Sequence, residues 1–113
     1  MAHILVADSN PHIRTLYQFM FRDYDVGEAG SVSQALEYLD RWPTDLLLTE
    51  WEFPDGTAQV LLEHLLKTGR TPVILVSGLQ DQLPPLPDIV KRRFDKPFHL
   101  PELHSTVKGI LAV

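Results

Sequence analysis

Four polar residues each sit at the end of a short apolar or basic run, and their types suit a charged ligand pocket. Asp8 follows "HILVA" (3–7), Glu50 follows "DLLLT" (45–49), Ser77 follows "PVILV" (72–76), and Lys96 follows a basic stretch that reaches Phe94. Carboxylates ligate cations or attack electrophiles, while a hydroxyl and an ammonium hold anions. A charged residue leaving a strand is commonly just solvated. Four of them at corresponding ends point to a site, because open α/β sheets bind ligands beyond the carboxyl ends of their strands.

The elements that must carry these residues are legible from pattern. The three apolar runs are continuous rather than alternating, which predicts strands buried on both faces, as in a parallel sheet covered by helices. "YDVGEA" (24–29) and the basic stretch ending near Phe94 supply two weaker strands. Between them lie helical stripes. Ile13, Leu16, Tyr17, Met20 and Phe21 follow a core-facing spacing after Pro11, which a first helical turn tolerates. Ser31 and Gln34 form a capping-box signature ahead of Val32, Ala35, Leu36 and Leu39. Leu61, Leu62, Leu65 and Leu66 make a third stripe that Gly69 stops, and Leu103, Val107, Ile110 and Leu111 make the last. The alternation predicts an α/β fold with a right-handed, doubly wound, five-stranded parallel sheet and helices on both faces. One helix is missing from the pattern. Pro84, Pro85 and Pro87 fall where a fourth helix belongs between Ser77 and Lys96, and each costs about 3 kcal/mol inside a helix. A loop, or at most one or two turns, is expected there.

Composition narrows the function classes. The 113 residues make one domain, 1–113, with a 44% apolar and 22% charged make-up typical of a globular core. A net charge of -5 disfavours nucleic acid and anionic membrane as partners. There are no cysteines, so disulfides and thiolate chemistry are excluded. No run reaches the length of a membrane span and the start does not read as a signal peptide, which fits a cytoplasmic protein. The five histidines include no helical i, i+4 pair, so a histidine metal site is not expected. "RWP" around Trp42 is expected to pack at the sheet edge, Trp51 to lie next to the pocket without a binding role as the default, and "KRRFDK" (91–96) to guard an edge strand, with contact to an acidic protein surface as the alternative.

Taken in order, four motifs resemble the receiver domains of bacterial two-component response regulators. "ILVADSNPHIR" looks like the first strand and acidic loop, and "DLLLTEWEFPDG" like the phosphoacceptor strand with the proline turn that closes the site. "PVILVSG" looks like the strand ending in a switch Ser or Thr, and "KPF" (96–98) like the Lys-Pro motif, often with a cis peptide bond. The resemblance runs from residue 3 to the end. It implies the flavodoxin-like strand order 2-1-3-4-5 and a signalling role with a histidine kinase or downstream effector as partner, with self-association as a further option. It does not imply an enzyme.

The chain departs from that family at the positions that matter most. Asp8 keeps the first acid, but Ser9 stands where a second metal-binding acid is typical, and Glu50 stands at the phosphoacceptor aspartate. Glu52 adds an acid to this degenerate pocket. Ser77 takes the switch position, Lys96 the lysine position, and Arg93 stands where an aromatic switch residue is usual. Glutamate has nearly the acidity of aspartate. Its extra methylene moves the oxygens by about 1.5 Å, and a misplacement of about 1 Å costs about a hundredfold in rate. Losing an acid at Ser9 also weakens any Mg²⁺ site, leaving at best a residual one on Asp8 and Glu50. The expectation is an atypical receiver without ordinary phosphotransfer, no cofactor, and a direct Glu50–Lys96 ion pair that either imitates the phosphorylated state or merely satisfies buried charge. The alternative is a working phosphoacceptor with unusual geometry. A phosphohydrolase using Asp8 lacks its second acid in "DSN", and a nucleotide binder lacks a phosphate loop in "DSNPH".

Overall fold

In the computed structural model, which describes residues 1–78 and 80–112, the apolar runs become the middle of a parallel sheet. The elements are β1 (His3–Ala7), α1 (Pro11–Met20), β2 (Asp25–Ala29), α2 (Val32–Arg41), β3 (Leu46–Glu50), β4 (Glu52–Phe53), β5 (Gly56–Thr57), α3 (Gln59–Thr68), β6 (Val73–Ser77), β7 (Val90–Asp95) and α4 (Leu100–Leu111). The five-stranded sheet has the order β2-β1-β3-β6-β7. With the two-residue strands β4 and β5 set aside, this is the expected 2-1-3-4-5.

Every residue of β3 and β6 is buried, which is why those runs are unbroken in sequence. Alternate side chains feed two cores. Ile4, Val6, Leu46, Leu48, Ile74 and Val76 meet α1 and α4 through Tyr17, Phe21, Leu103 and Val107. Leu5, Leu47 and Leu75 on the opposite face meet α2 and α3 through Ala35, Leu61 and Leu65. Each fully buried leucine or isoleucine contributes about 1.5–3 kcal/mol.

The proline-rich segment forms no helix among its described residues; Leu79 lies outside them. Instead the loop lays Leu83, Leu86 and Ile89 onto the α2–α3 side of the sheet, with Ile89 buried. The prolines between them spare the loop backbone donors that a helix would have satisfied. The segment therefore seals the core mainly by side chains, with the Ile89 carbonyl accepting the Val73 amide at 2.8 Å.

Local chemistry sets the helix starts. Asn10 caps α1 by accepting the His12 amide at 2.9 Å, ahead of Pro11. Ser31 Oγ accepts the Gln34 amide at 3.1 Å as the capping signature predicts, but Gln34 Oε1 takes the Gly30 amide at 2.7 Å. The turn after Glu50 differs from expectation. It is an antiparallel hairpin of β4 and β5 with Gly56 at a φ of 148°, a conformation natural only for glycine. Asp55 at its tip accepts the Val32 and Ser33 amides at 2.9 and 3.1 Å, so the hairpin closes on the start of α2 and not on the pocket. These bonds hold the Asp55 carboxyl below its ordinary range.

Three apolar residues are less buried than their spacing suggested. Leu16 and Leu66 lie at the flanks of their stripes and are exposed, and Trp42 is 52% exposed at the end of α2 and not packed on a sheet edge. Tyr38 performs that edge role: its ring lies so close over Gly27 of β2 that a Cβ there would meet it at 2.2 Å. Lys91, Arg92 and Arg93 are exposed on the opposite edge strand, β7, as expected.

Candidate functional site

The site forms where β1, β3 and β7 end on one side of the sheet. β3 is the central strand, so Glu50 leaves the middle of the sheet with β1 on one side and β6 on the other. Asp8 continues β1, its amide donating to Ala29 O at 3.0 Å. The Lys96 amide extends β7 by donating to Ser77 O at 2.9 Å, and the Lys96–Pro97 peptide bond is cis.

Asp8 and Glu50 are both buried, at 2% and 9% exposure. Asp8 Oδ1 accepts the Asn10 amide at 2.8 Å, which folds the loop back toward its own strand. Glu50 Oε2 accepts the Ser9 amide at 2.5 Å. Burial is the main cause that raises the carboxyl pKa of both residues above the ordinary range; the amides of Asn10 and Ser9, and Lys96 beyond them, work against it without cancelling it. The Tyr17 phenol beside them is also raised, first by burial and then by the two carboxylates, so it stays neutral.

The expected Glu50–Lys96 ion pair is present but long. Lys96 Nζ stands 3.9 Å from Glu50 Oε1, beyond hydrogen-bonding distance, and the ammonium side chain is 43% exposed. The long side chain turns toward the Ser9 amide because a rigid backbone donor demands no side-chain ordering, whereas the lysine would lose rotamer freedom. Ser9, the replacement for an acid, is thus the principal partner of Glu50.

Two expectations change. Ser77 is buried at the end of β6, but its hydroxyl donates to Asp95 Oδ1 at 3.1 Å and does not join the carboxylates. Arg93 Nε donates to the same oxygen at 3.0 Å, so Arg93 and Ser77 are linked through Asp95. Glu52 opens β4 on the far side of Glu50 from Asp8 and Ser9. It lines a small 180 Å³ recess with Trp51, Gly78, Gln80 and Asp81. Glu50 and Lys96 divide that recess from a larger cavity of 480 Å³ that contains Asp8 and Ser9.

Sequence reasoning missed Asp81 and Asp95. Asp81 sits in the proline-rich segment and takes the Gly78 amide at 2.8 Å; Asp95 was read as part of a basic patch. It also missed the apolar wall of the larger cavity, since Ile13 and Tyr17 looked like ordinary core residues. Only the offset of Leu16 from the stripe's centre hinted at an opening.

The donor set does not fit Mg²⁺. That ion demands near-octahedral oxygen ligands at about 2.0–2.1 Å and is usually held through carboxylates. Here one acid position is the neutral Ser9, and one oxygen of Glu50 is occupied by an amide donor. Among the described residues no three His, Asp or Glu side chains converge on a metal-sized space.

Residues 4–108 match the family model of the response regulator receiver domain. The chain belongs to that family. The receiver is 32% identical over 77 residues to the response regulator protein PilR of Pseudomonas aeruginosa, a match covering 66% of this chain and 17% of PilR. It is 27% identical to the TorCAD operon transcriptional regulatory protein TorR of Escherichia coli O157:H7, covering 96% of this chain and 50% of TorR. The receiver therefore spans at most half the length of these curated relatives. Among solved structures it is similar to the response regulator TrrA of Thermotoga maritima in complex with Mg²⁺-BeF, with a TM-score of 0.85, 24% identity, and coverage of 98% of this chain and 100% of that one. A CheY-like receiver from Methanospirillum hungatei gives a TM-score of 0.84 at 20% identity, covering 99% and 94%. These two show the fold. No helix among the described residues is long and apolar enough to cross a membrane.

Proposed function

We propose that this receiver works in two-component signalling without ordinary phosphotransfer, by contacts with other proteins and not by chemistry of its own. The observation that carries this reading is the Ser9 amide bonded to Glu50 Oε2 at 2.5 Å. An acyl phosphate needs an in-line carboxylate oxygen beside a cation that neutralises the phosphoryl group. Glu50 spends its added reach on a backbone donor, and the residue supplying that donor replaces the acid that would help hold Mg²⁺. Binding of Mg²⁺ is accordingly weak or absent.

Glu50 fills the phosphoacceptor position without imitating its charged state. A phosphoryl group carries up to about two negative charges, and glutamate carries one. The Ser77 hydroxyl is bound to Asp95 and is not drawn to Glu50, which supports a pocket whose conformation does not depend on Glu50 as a signal. Partners under this reading are a histidine kinase or downstream effector, with a second copy of the receiver as a further option, and nucleic acid and membrane surfaces are disfavoured.

The test is incubation with acetyl phosphate and Mg²⁺ followed by intact mass measurement. The expected spectrum shows no added phosphate on the wild-type chain, and none on Glu50→Asp, because Ser9 still lacks the acid. The double variant Ser9→Asp with Glu50→Asp restores both carboxylates and is expected to accept phosphate. Phosphate on the wild-type protein would overturn the proposal.

A further inference from the structure

We infer that the 480 Å³ cavity between α1 and the start of α4 binds a small amphipathic amine, with the ammonium on Asp8 and the apolar body against Leu16, Tyr17 and Phe98. The inference rests on the proposed reading in one respect: Asp8 and Glu50 are not committed to Mg²⁺, which would compete for the same oxygens.

Shape and lining come first. Small-molecule sites are concave spaces of about 300–1,000 Å³, mostly apolar, with a few convergent polar groups. Ile13, Leu16, Tyr17, Phe98 and Leu100 form apolar walls, and Asp8, Glu50 and Lys96 form the floor. Leu16 and Leu100, which line the cavity, remain 37% exposed. A ligand in the cavity would cover both.

Charge decides the head group. The floor holds two carboxylates and one ammonium. Arg14 lies near, but its guanidinium is engaged by Glu28 at 3.0 Å and by Asp8 O at 2.6 Å. The balance is one uncompensated negative charge. Among the described residues only Oδ1 of Asp8 accepts a hydrogen bond, from Asn10. The other oxygen is left for a donor. An ammonium satisfies both, whereas a carboxylate or phosphate ligand would face Asp8 and Glu50. The aromatic walls also suit a cation, since Tyr and Phe rings attract one within about 6 Å.

The test titrates ¹⁵N-labelled protein, free of Mg²⁺, with phenethylammonium, with phenethyl alcohol and with 3-phenylpropionate, which share a body and differ in head group. The expected result is saturable amide shifts at Asn10, Leu16, Lys96 and Phe98 with the ammonium, and affinity lower by about tenfold or more with the alcohol and the carboxylate. Asp8→Asn is expected to abolish the preference for the ammonium. Leu16→Trp, at an exposed position and leaving every charge in place, is expected to weaken all binding by narrowing the mouth, so the inference stays testable if Asp8→Asn does not fold. Equal affinity for ammonium and alcohol, tighter binding of the carboxylate, unchanged binding by either variant, or no saturation with any probe would each overturn it. Covalent phosphate on Glu50 would sink the phosphotransfer-free reading whatever these titrations show, so the two fail separately.

Discussion

At the scale of single residues, one methylene and one lost acid act together. The added methylene of Glu50 lets its carboxylate meet the Ser9 amide, and a second acid at position 9 would repel it there. The pairing leaves a buried carboxylate whose charged form is disfavoured overall, since its pKa is raised from the ordinary 4.5 mainly by burial. A raised folded pKa means that the folded state binds the proton more tightly than the unfolded chain, so stability falls as pH rises through the window between the two values. The cost is complete above the folded pKa and relieved below 4.5. Glu50→Gln keeps the shape and removes the charge. It is expected to raise the midpoint of thermal unfolding near neutral pH, with the advantage closing as pH falls through that window; a variant less stable than wild type at neutral pH would contradict this. The positions of Asp8, Glu50, Ser77 and Lys96 were legible because each ends a strand that pattern reveals. Their partners were not. The direction of the Ser9 amide is a backbone property, and the Ser77–Asp95 bond joins two strands whose register no single sequence states.

Elements were legible in proportion to their periodicity. Helices of ten residues and buried strands of five carry clear patterns, whereas β4 and β5 have two residues each and no period to read. Proline chemistry correctly removed a helix, yet it left unsaid what covers that part of the sheet. The structure answers with Leu83, Leu86 and Ile89, spaced by three along the loop. Ile89 is 2% exposed and its carbonyl accepts the Val73 amide at 2.8 Å. Ile89→Ala is expected to cost about 2–5 kcal/mol in chemical denaturation, the range for a buried aliphatic cut to a methyl. A loss under about 1 kcal/mol would show that the loop merely lies on the surface.

At the scale of the molecule, β1 and β3 each have strands on both sides and helices on both faces, whereas β7 is an edge strand paired only with β6. That pairing contains a register shift between Val73 and Ile74, and the covering segment is the proline-rich loop. Hydrogen exchange reports local opening, which is least costly where backbone bonds are few and solvent is near. The amides of Arg93 and Phe94 are expected to exchange faster than those of Leu5 and Leu47, and equal protection would contradict this. Glu50 thus ends a strand flanked on both sides, whereas Lys96 follows one flanked on one side only. A protein gripping the Lys91–Arg93 edge would pull the ammonium toward or away from Glu50 while the central strands hold still. The 3.9 Å between ammonium and carboxylate is the distance that such a grip would change.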